Sequence, residues 1–263
     1  NCIDESTVDP ELFRAAQSIE PLIAQFIDDC LDDVMRHAPK IVGFTSNFQQ
    51  QIASLSLAKR IKEKDPTITI VFGGANLEGT MGVEVIRQFP FVDAVVSGEA
   101  DLVIVDLFQR MLDGRCYSDI PGIYTQQNVD LCLLLNGQEP SNAEQVRRMD
   151  ALPTPEYDDF FAAFAQLAVA DDPTDPNYAV PRILMQTARG CWWGDTQHCT
   201  FCPINDNSIN YRSMSSDRAL QEILALSNRY PGVSISSVDY ILEMRYFKDL
   251  LPKLIELDLG LDI

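Results

Sequence analysis

No uninterrupted apolar stretch in this 263-residue chain approaches the roughly 18 residues needed to cross a bilayer, and no signal-peptide pattern opens it. Basic side chains are scarce, 20 against 39 acidic ones, for a net charge of −19. So negative a surface repels phosphate backbones and argues against a nucleic-acid substrate, while it tolerates a basic or neutral peptide. Most of that charge is explained by solubility alone. Histidine is limited to His37 and His198, so there is no H-x3-H pair, and C-x2-C occurs once. Cys2, Cys30, Cys116 and Cys132 are scattered without a disulfide framework. They read as reduced, mostly buried thiols, which makes a reducing cytoplasm the expected compartment. What is present in quantity is apolar: 46% of the chain, which supports a full core, and 263 residues are enough for one large domain or two ordinary ones.

The other three cysteines are concentrated. Cys191, Cys199 and Cys202 lie in the run Ala188-Arg189-Gly190-Cys191-Trp192-Trp193-Gly194-Asp195-Thr196-Gln197-His198-Cys199-Thr200-Phe201-Cys202, spaced C-x7-C-x2-C. Three thiolates in one loop can hold a [4Fe-4S] cluster but leave one iron without a cysteine, and therefore open to a substrate. A zinc site built on Cys199 and Cys202 with Cys191 or His198 is the rival reading. It lacks a second separated ligand pair, and His198 abuts Cys199 awkwardly for joint ligation. An aromatic residue before the last cysteine, Phe201, and an apolar strand leading into the loop resemble the radical S-adenosylmethionine (SAM) enzymes. In those enzymes the open iron binds SAM.

Upstream, residues 1–35 hold nine acids and one base, Arg14. Phe13, Ile19, Leu22, Ile23, Phe26, Ile27 and Leu31 recur at helical spacing, which predicts one or two amphipathic helices. Strands are expected at 40–45, 67–72 and 92–96, each followed by a helix, at 52–64, from about Gly82 to Gln88, and through Met111. Such alternation predicts a parallel, doubly wound α/β sheet, whose ligands bind at the carboxyl ends of the strands. Those ends carry Thr45-Ser46, Gly73-Gly74 and Ser97-Gly98-Glu99. Together with the downstream cysteine loop, these turns resemble the cobalamin-binding, Rossmann-like domain of B12-dependent radical SAM enzymes. The resemblance implies that Thr45, Ser46, Gly73, Gly74 and Gly98 line the cobalamin tail site, glycine permitting close approach. No Asp-x-His-x-x-Gly occurs, and His37 lies before the strand, so cobalamin is expected to bind without a histidine lower ligand from this chain.

Ile120 to Thr125 and Val129 to Leu135 read as a β-hairpin closed by Asn136-Gly137. Two proline-marked connectors follow, over 149–161 and 171–176. Arg182 to Thr187 is expected to open a second α/β unit, with the cysteine loop at its carboxyl end. A helix over 217–229, a strand over 233–238 ending at Asp239, a helix over 246–257 and a third strand near Leu259 should follow. The expected domains are therefore 1–115, a hairpin and linker over 116–178, and the first part of a barrel over 179–263. A partial (β/α)6 barrel takes roughly 190 residues, and about 85 follow Ala179. With a start that lacks an initiator Met, this gives the expectation of a fragment.

The segment Val42 to Glu99, the connector Leu152-Pro153-Thr154-Pro155 and the run Arg189-Gly190-Cys191-Trp192-Trp193-Gly194 through Asn205 together resemble the B12-binding radical SAM C-methyltransferases. The resemblance is to those that mature ribosomally made peptides. It implies that Cys191, Cys199 and Cys202 ligate the cluster, that backbone near Phe201 contacts the adenine of SAM, and that Asp239 is a SAM contact. A turn acid or helix N-cap explains Asp239 equally well. The implied reaction methylates an unactivated carbon of a precursor peptide, with electrons from a reductant such as flavodoxin or ferredoxin. A ring-contracting or cyclising cobalamin enzyme, or a non-catalytic cobalamin-binding product, would share the same two domains.

Overall fold

Short β-branched and aromatic runs alternate with amphipathic stretches through the first 146 residues. A computed structural model, which describes residues 10–130, 141–166, 181–202 and 209–257, folds them accordingly. The chain divides into two units, Asn1–Val146 and Arg147–Ile263. In the first, α1 (Pro10–Arg36) leads to β1 (Ile41–Thr45), α2 (Gln50–Lys64), β2 (Thr69–Gly73), a 3-10 turn (Ala75–Leu77) and α3 (Thr80–Gln88). Then come β3 (Ala94–Val96), α4 (Ile104–Leu112) and β4 (Ile123–Tyr124). Strands β1, β2 and β3 are parallel neighbours, with Phe44 opposite Phe72 and Phe72 opposite Val95.

The two-residue period of the strands decides which helix covers which face. Ile70, Phe72, Val95 and Tyr124 point to one side, where Leu55, Ala58 and Ile61 of α2 and Val83, Val85 and Ile86 of α3 cover them. Val71, Ala94, Val96 and Ile123 point to the other, against Leu107 of α4. Helices thus sit on both faces of the sheet, as the alternation predicts. The N-terminal acidic stretch is one helix with Pro21 inside it. Ile27 is buried and Leu31, Val34 and Met35 pack on the core, while Ile19, Leu22, Ile23 and Phe26 are exposed.

The expected hairpin is corrected. Tyr124 and Ile123 pair antiparallel with Val95 and Val96 of β3, so β4 extends the main sheet. Val129 and Asp130 are helical, because the Thr125 N–H donates to Asn128 Oδ1 and the Val129 N–H to Thr125 O, which starts a helical turn. The remainder of the expected second strand lies outside the described residues.

In the second unit, β5 (Arg182–Met185) pairs in parallel with β8 (Ser234–Ser237), and the short strands β6 (Ala188–Arg189) and β7 (Arg212–Ser213) form a separate antiparallel pair. Helix α6 (Ser216–Arg229) starts at Ser215, whose Oγ accepts the Arg218 N–H at 3.2 Å. Its Ala219, Ile223 and Leu226 cover Ile183, Met185 and Ile235. The helix expected over 246–257 is broken into α7 (Tyr246–Asp249) and α8 (Leu251–Leu257). Pro252 has no N–H to continue the ladder. The third barrel strand and the connector at 171–176 lie outside the described residues.

Of the stretch expected as hairpin and linker, residues to Val146 join the first unit and those from Arg147 the second. Asp150 Oδ1 accepts the Ser215 N–H at 2.7 Å, and Arg218 donates to Leu152 O at 2.9 Å. Helix α5 (Asp158–Phe164) is held at its start, where the Tyr157 N–H donates to Tyr230 Oη at 2.7 Å. The Tyr230 hydroxyl in turn donates to Asp158 at 2.8 Å, and Arg229 pairs with the same carboxylate.

Two outcomes follow from this packing. A helix-interior glycine replaced by alanine ordinarily gains about 1 kcal/mol. At Gly82 the added carbon would lie 2.2 Å from Leu77 O and 2.9 Å from Val95 Cγ1. Gly82→Ala should therefore lose about 2 kcal/mol in a urea titration. Hydrogen bonds from Arg229, then from Tyr230, hold the Asp158 carboxyl at about 2, below its usual 3.8. A depressed folded value gives stability that is present above 3.8 and lost as pH falls toward 2. Melting temperature measured across that range should drop less steeply in Asp158→Asn than in the unaltered chain.

Candidate functional site

The carboxyl ends of β1, β2 and β3 are stitched together by polar side chains from the loops that leave them. The Ser46 N–H donates to Gly73 O at 2.7 Å, and its carbonyl accepts the Asn76 N–H at 3.1 Å. Asn76 Nδ2 donates to Ser46 Oγ at 3.1 Å and to Phe48 O at 3.0 Å, while Asn47 Oδ1 accepts the Ala75 N–H at 2.8 Å. Further along, Ser97 Oγ accepts the Gly79 N–H at 2.8 Å and donates to Asn142 Oδ1. Ser46 and Ser97 are both wholly buried, so their hydroxyls belong to the fold, whereas Thr45 is exposed.

The three glycines differ. Gly74, at φ +99°, meets the chain itself: a side-chain carbon there would lie 2.6 Å from Ser46 O and 2.9 Å from Ser46 N. Gly98, at φ +86°, has Asn142 Cβ 3.0 Å from the same position. At Gly73 the nearest atoms are Val96 O at 3.8 Å and Val96 Cβ at 3.9 Å, which is ordinary contact. Of the expected tail-site residues, Thr45 and Gly73 are thus the accessible ones that the fold does not itself require. Around them the first turns of α2, α3 and α4 begin at this same end and carry exposed Ile52, Met81 and Val105, with Phe48 just before α2 and Leu102 just before α4. Polar, glycine-bearing turns beside exposed apolar side chains suit a ligand with a broad apolar body and a hydrogen-bonding tail. That chemistry fits cobalamin. His37 is exposed beyond α1, at the amino end of β1 and away from these turns.

In the second unit the cysteine loop leaves a clamped base. Gly190, at φ +75°, lets Ile209 and Asn210 come so close that a side-chain carbon would lie 2.3 Å from Asn210 O, and the Cys191 N–H donates to Ile209 O at 3.0 Å. A helical turn follows, with the Asp195 N–H on Cys191 O at 2.8 Å and the Gln197 N–H on Trp193 O at 2.7 Å. Trp192 Nε1 donates to Leu242 O at 3.1 Å, and the two tryptophans meet edge to face.

Asp239, at the end of β8, takes hold of the exit from β5. Its Oδ1 accepts the N–H groups of Thr187 at 2.8 Å and Ala188 at 2.9 Å, and Oδ2 accepts the Thr187 hydroxyl. It therefore fixes the residues that lead into the loop and does not cap a helix. Behind it Glu243 accepts from Ser213 Oγ at 2.8 Å. Burial opposes charge on Glu243, but hydrogen bonds from Arg245 and Ser213 outweigh it and leave the carboxyl below its usual range. Burial, with the Glu243 charge beside it, pushes the Tyr211 phenol up.

Cys191, Cys199 and Cys202 are free, half-buried thiols, and the Cys202 N–H donates to Cys199 O at 3.0 Å. Phe201 between them is 87% exposed. Among the described residues no three His, Cys, Asp or Glu side chains are gathered as a metal-binding group. The donor chemistry of three unpaired thiols on one loop with no fourth cysteine fits an open-site iron–sulfur cluster. Asn47, Asn76, Asn142, Ile209 and Asn210 are what sequence reasoning missed. Asn47 and Asn76 stood inside the turns already singled out, whereas nothing in the sequence marks the other three.

No family model matches the chain. An uncharacterized methyltransferase of Pyrococcus horikoshii is 26% identical over 209 residues, which are 78% of this chain and 40% of the relative. The cobalamin-dependent radical SAM methyltransferase TokK of Streptomyces tokunonensis is 24% identical over 179 residues, 67% of this chain and 23% of TokK. Among solved structures, the cobalamin-dependent SAM radical enzyme OxsB superposes with a TM-score of 0.52 at 20% identity, over 83% of this chain and 27% of OxsB. The methyltransferase TsrM from Kitasatospora setae, solved with cobalamin and a [4Fe-4S] cluster, gives 0.56 at 16% identity, over 87% of this chain and 42% of TsrM. The chain shares their fold and spans less than half the length of each. No described helix is long and apolar enough to cross a membrane.

Gly73 and Gly74 should separate in a stability measurement. Gly74→Ala combines positive φ with a backbone collision and should cost about 2 kcal/mol. Gly73→Ala should leave the urea midpoint unchanged, which keeps that position usable as a probe of ligand binding.

Proposed function

We propose that this chain carries the cobalamin-binding and cluster-binding portions of a radical SAM C-methyltransferase that acts on a ribosomally synthesised peptide. The observation that carries the reading is the order of two sites in one chain. Polar, glycine-bearing turns at the carboxyl ends of a parallel sheet are followed by a three-cysteine loop downstream of β5. The fold shared with cobalamin-dependent radical SAM enzymes supports it.

When bound, the cluster, SAM and cobalamin supply reductive cleavage of SAM and delivery of a methyl group. The chain's own residues bind and orient. Cys191, Cys199 and Cys202 hold the cluster, and the missing fourth thiolate leaves room for SAM. Backbone near Phe201 contacts adenine. Asp239 sets the direction in which the loop departs, through Thr187 and Ala188. Thr45 and Gly73 receive the cobalamin tail, with Ser46, Gly74 and Gly98 shaping the turns beneath it. The acidic surface admits a neutral or basic peptide and disfavours nucleic acid. An external one-electron donor such as flavodoxin or ferredoxin completes the system.

Anaerobic reconstitution should load about four irons per chain, and Cys199→Ala should abolish loading. One zinc per chain with no iron-dependent visible absorption would falsify the cluster assignment. With SAM, a low-potential reductant and a precursor peptide, the full-length polypeptide should release both S-adenosylhomocysteine and 5′-deoxyadenosine and add one methyl mass to the peptide. Peptide consumption without that mass gain would move the reading to a non-methylating cobalamin enzyme.

A further inference from the structure

Phe48 carries two costs at once. Its φ is +47°, and among the described residues only Ala38 shares a positive φ outside glycine. A bulky side chain in that region crowds its own backbone. Its ring is also 89% exposed, the most of any large apolar side chain described. Exposed loop aromatics are ordinary and strained loop residues occur, but both in one side chain call for a compensating contact.

The strain is actively held. The Asn47 N–H donates to Gln50 Oε1 at 2.9 Å, Asn47 Oδ1 ties to the Ala75 N–H at 2.8 Å, and Asn76 Nδ2 grips Phe48 O at 3.0 Å. The Asn47 carbonyl accepts the Gln50 N–H at 3.1 Å, so the peptides on either side of Phe48 are pinned by the first residue of α2 and by the loop that follows β2. Ile52, at 73% exposure, extends the bare apolar surface into that helix, and the exposed Thr45 turn lies three residues before Phe48.

We propose that Phe48 is a platform residue, strained and left bare so that its ring lies against the broad apolar face of the molecule taken at the strand ends. Asn76 is the positioning residue that holds it there. This rests on the reading that the molecule is cobalamin, so the platform faces a corrin macrocycle. A single substitution that relieves the backbone strain and also removes the ring separates the platform from a merely structural loop residue.

The test uses the whole chain with hydroxocobalamin as the probe. Asparagine tolerates positive φ and offers no ring. Phe48→Asn should leave the melting temperature of the ligand-free chain unchanged or higher, and weaken binding at least tenfold. Phe48→Tyr should keep the affinity. Asn76→Ala should weaken binding in the unaltered chain and add nothing in the Phe48→Asn background. If the unaltered chain binds and Phe48→Asn binds equally well, or melts lower, the platform role is wrong while the cobalamin reading stands. If the unaltered chain does not bind hydroxocobalamin, both fall together.

Discussion

The close approach of Ser46 to Gly73 and Gly74 governs the whole carboxyl end of the first sheet. Once β1 and β2 pair through Thr45 and Gly73, the next residue turns inward and loses access to water. Its N–H, carbonyl and hydroxyl then need partners from the neighbouring loop. Gly73 O and the Asn76 amide and side chain supply them, and the approach is so near that position 74 admits no side chain. From this contact Asn76 reaches Phe48, and the loop after β2 runs on to Gly79, which Ser97 holds at the third strand. The turns at this end of the sheet are one hydrogen-bonded fabric, made by the chain alone.

The cysteine loop is organised on a different principle. Its root is geometric, with Gly190 passing under Asn210 and Asp239 gathering Thr187 and Ala188, so its departure from β5 is set by backbone contacts. The thiols further out are free and not gathered. Where metal binding and local folding are linked, gathering separated thiols to one centre is done by the metal–sulfur bonds themselves, and the proposed cluster would act on this loop in that way. The root of the loop therefore makes its own sequence demands, at Gly190 and Asp239.

The alternation of strands and helices was legible because it rests on local periodicity, and the placement of α2, α3 and α4 on two faces follows from it. The strand that leads toward the three-cysteine loop was legible because its residues are apolar and lie just before it. What the sequence hid was non-local. β4 left its expected hairpin because Val95 and Val96 offered a longer-range partner, which no local pattern announces. The Asn142 contact with Ser97 spans 45 residues and is equally silent. The glycines were expected to admit a cofactor tail, but at Gly74 and Gly98 the approaching atoms belong to the protein, and of the three Gly73 alone has no neighbour nearer than 3.8 Å.

Strand β1 has one further property with practical weight. Among the described strands it pairs only with β2, so its opposite margin presents a row of main-chain donors and acceptors. No charged residue or proline interrupts Ile41 to Thr45, and nothing lies near the side of Gly43. Natural sheets guard such margins with lysines, prolines, bulges or a covering element. Among the described residues this margin is a template for strand-to-strand pairing with a second copy, and the net charge of −19, which makes copies repel one another, is what opposes it.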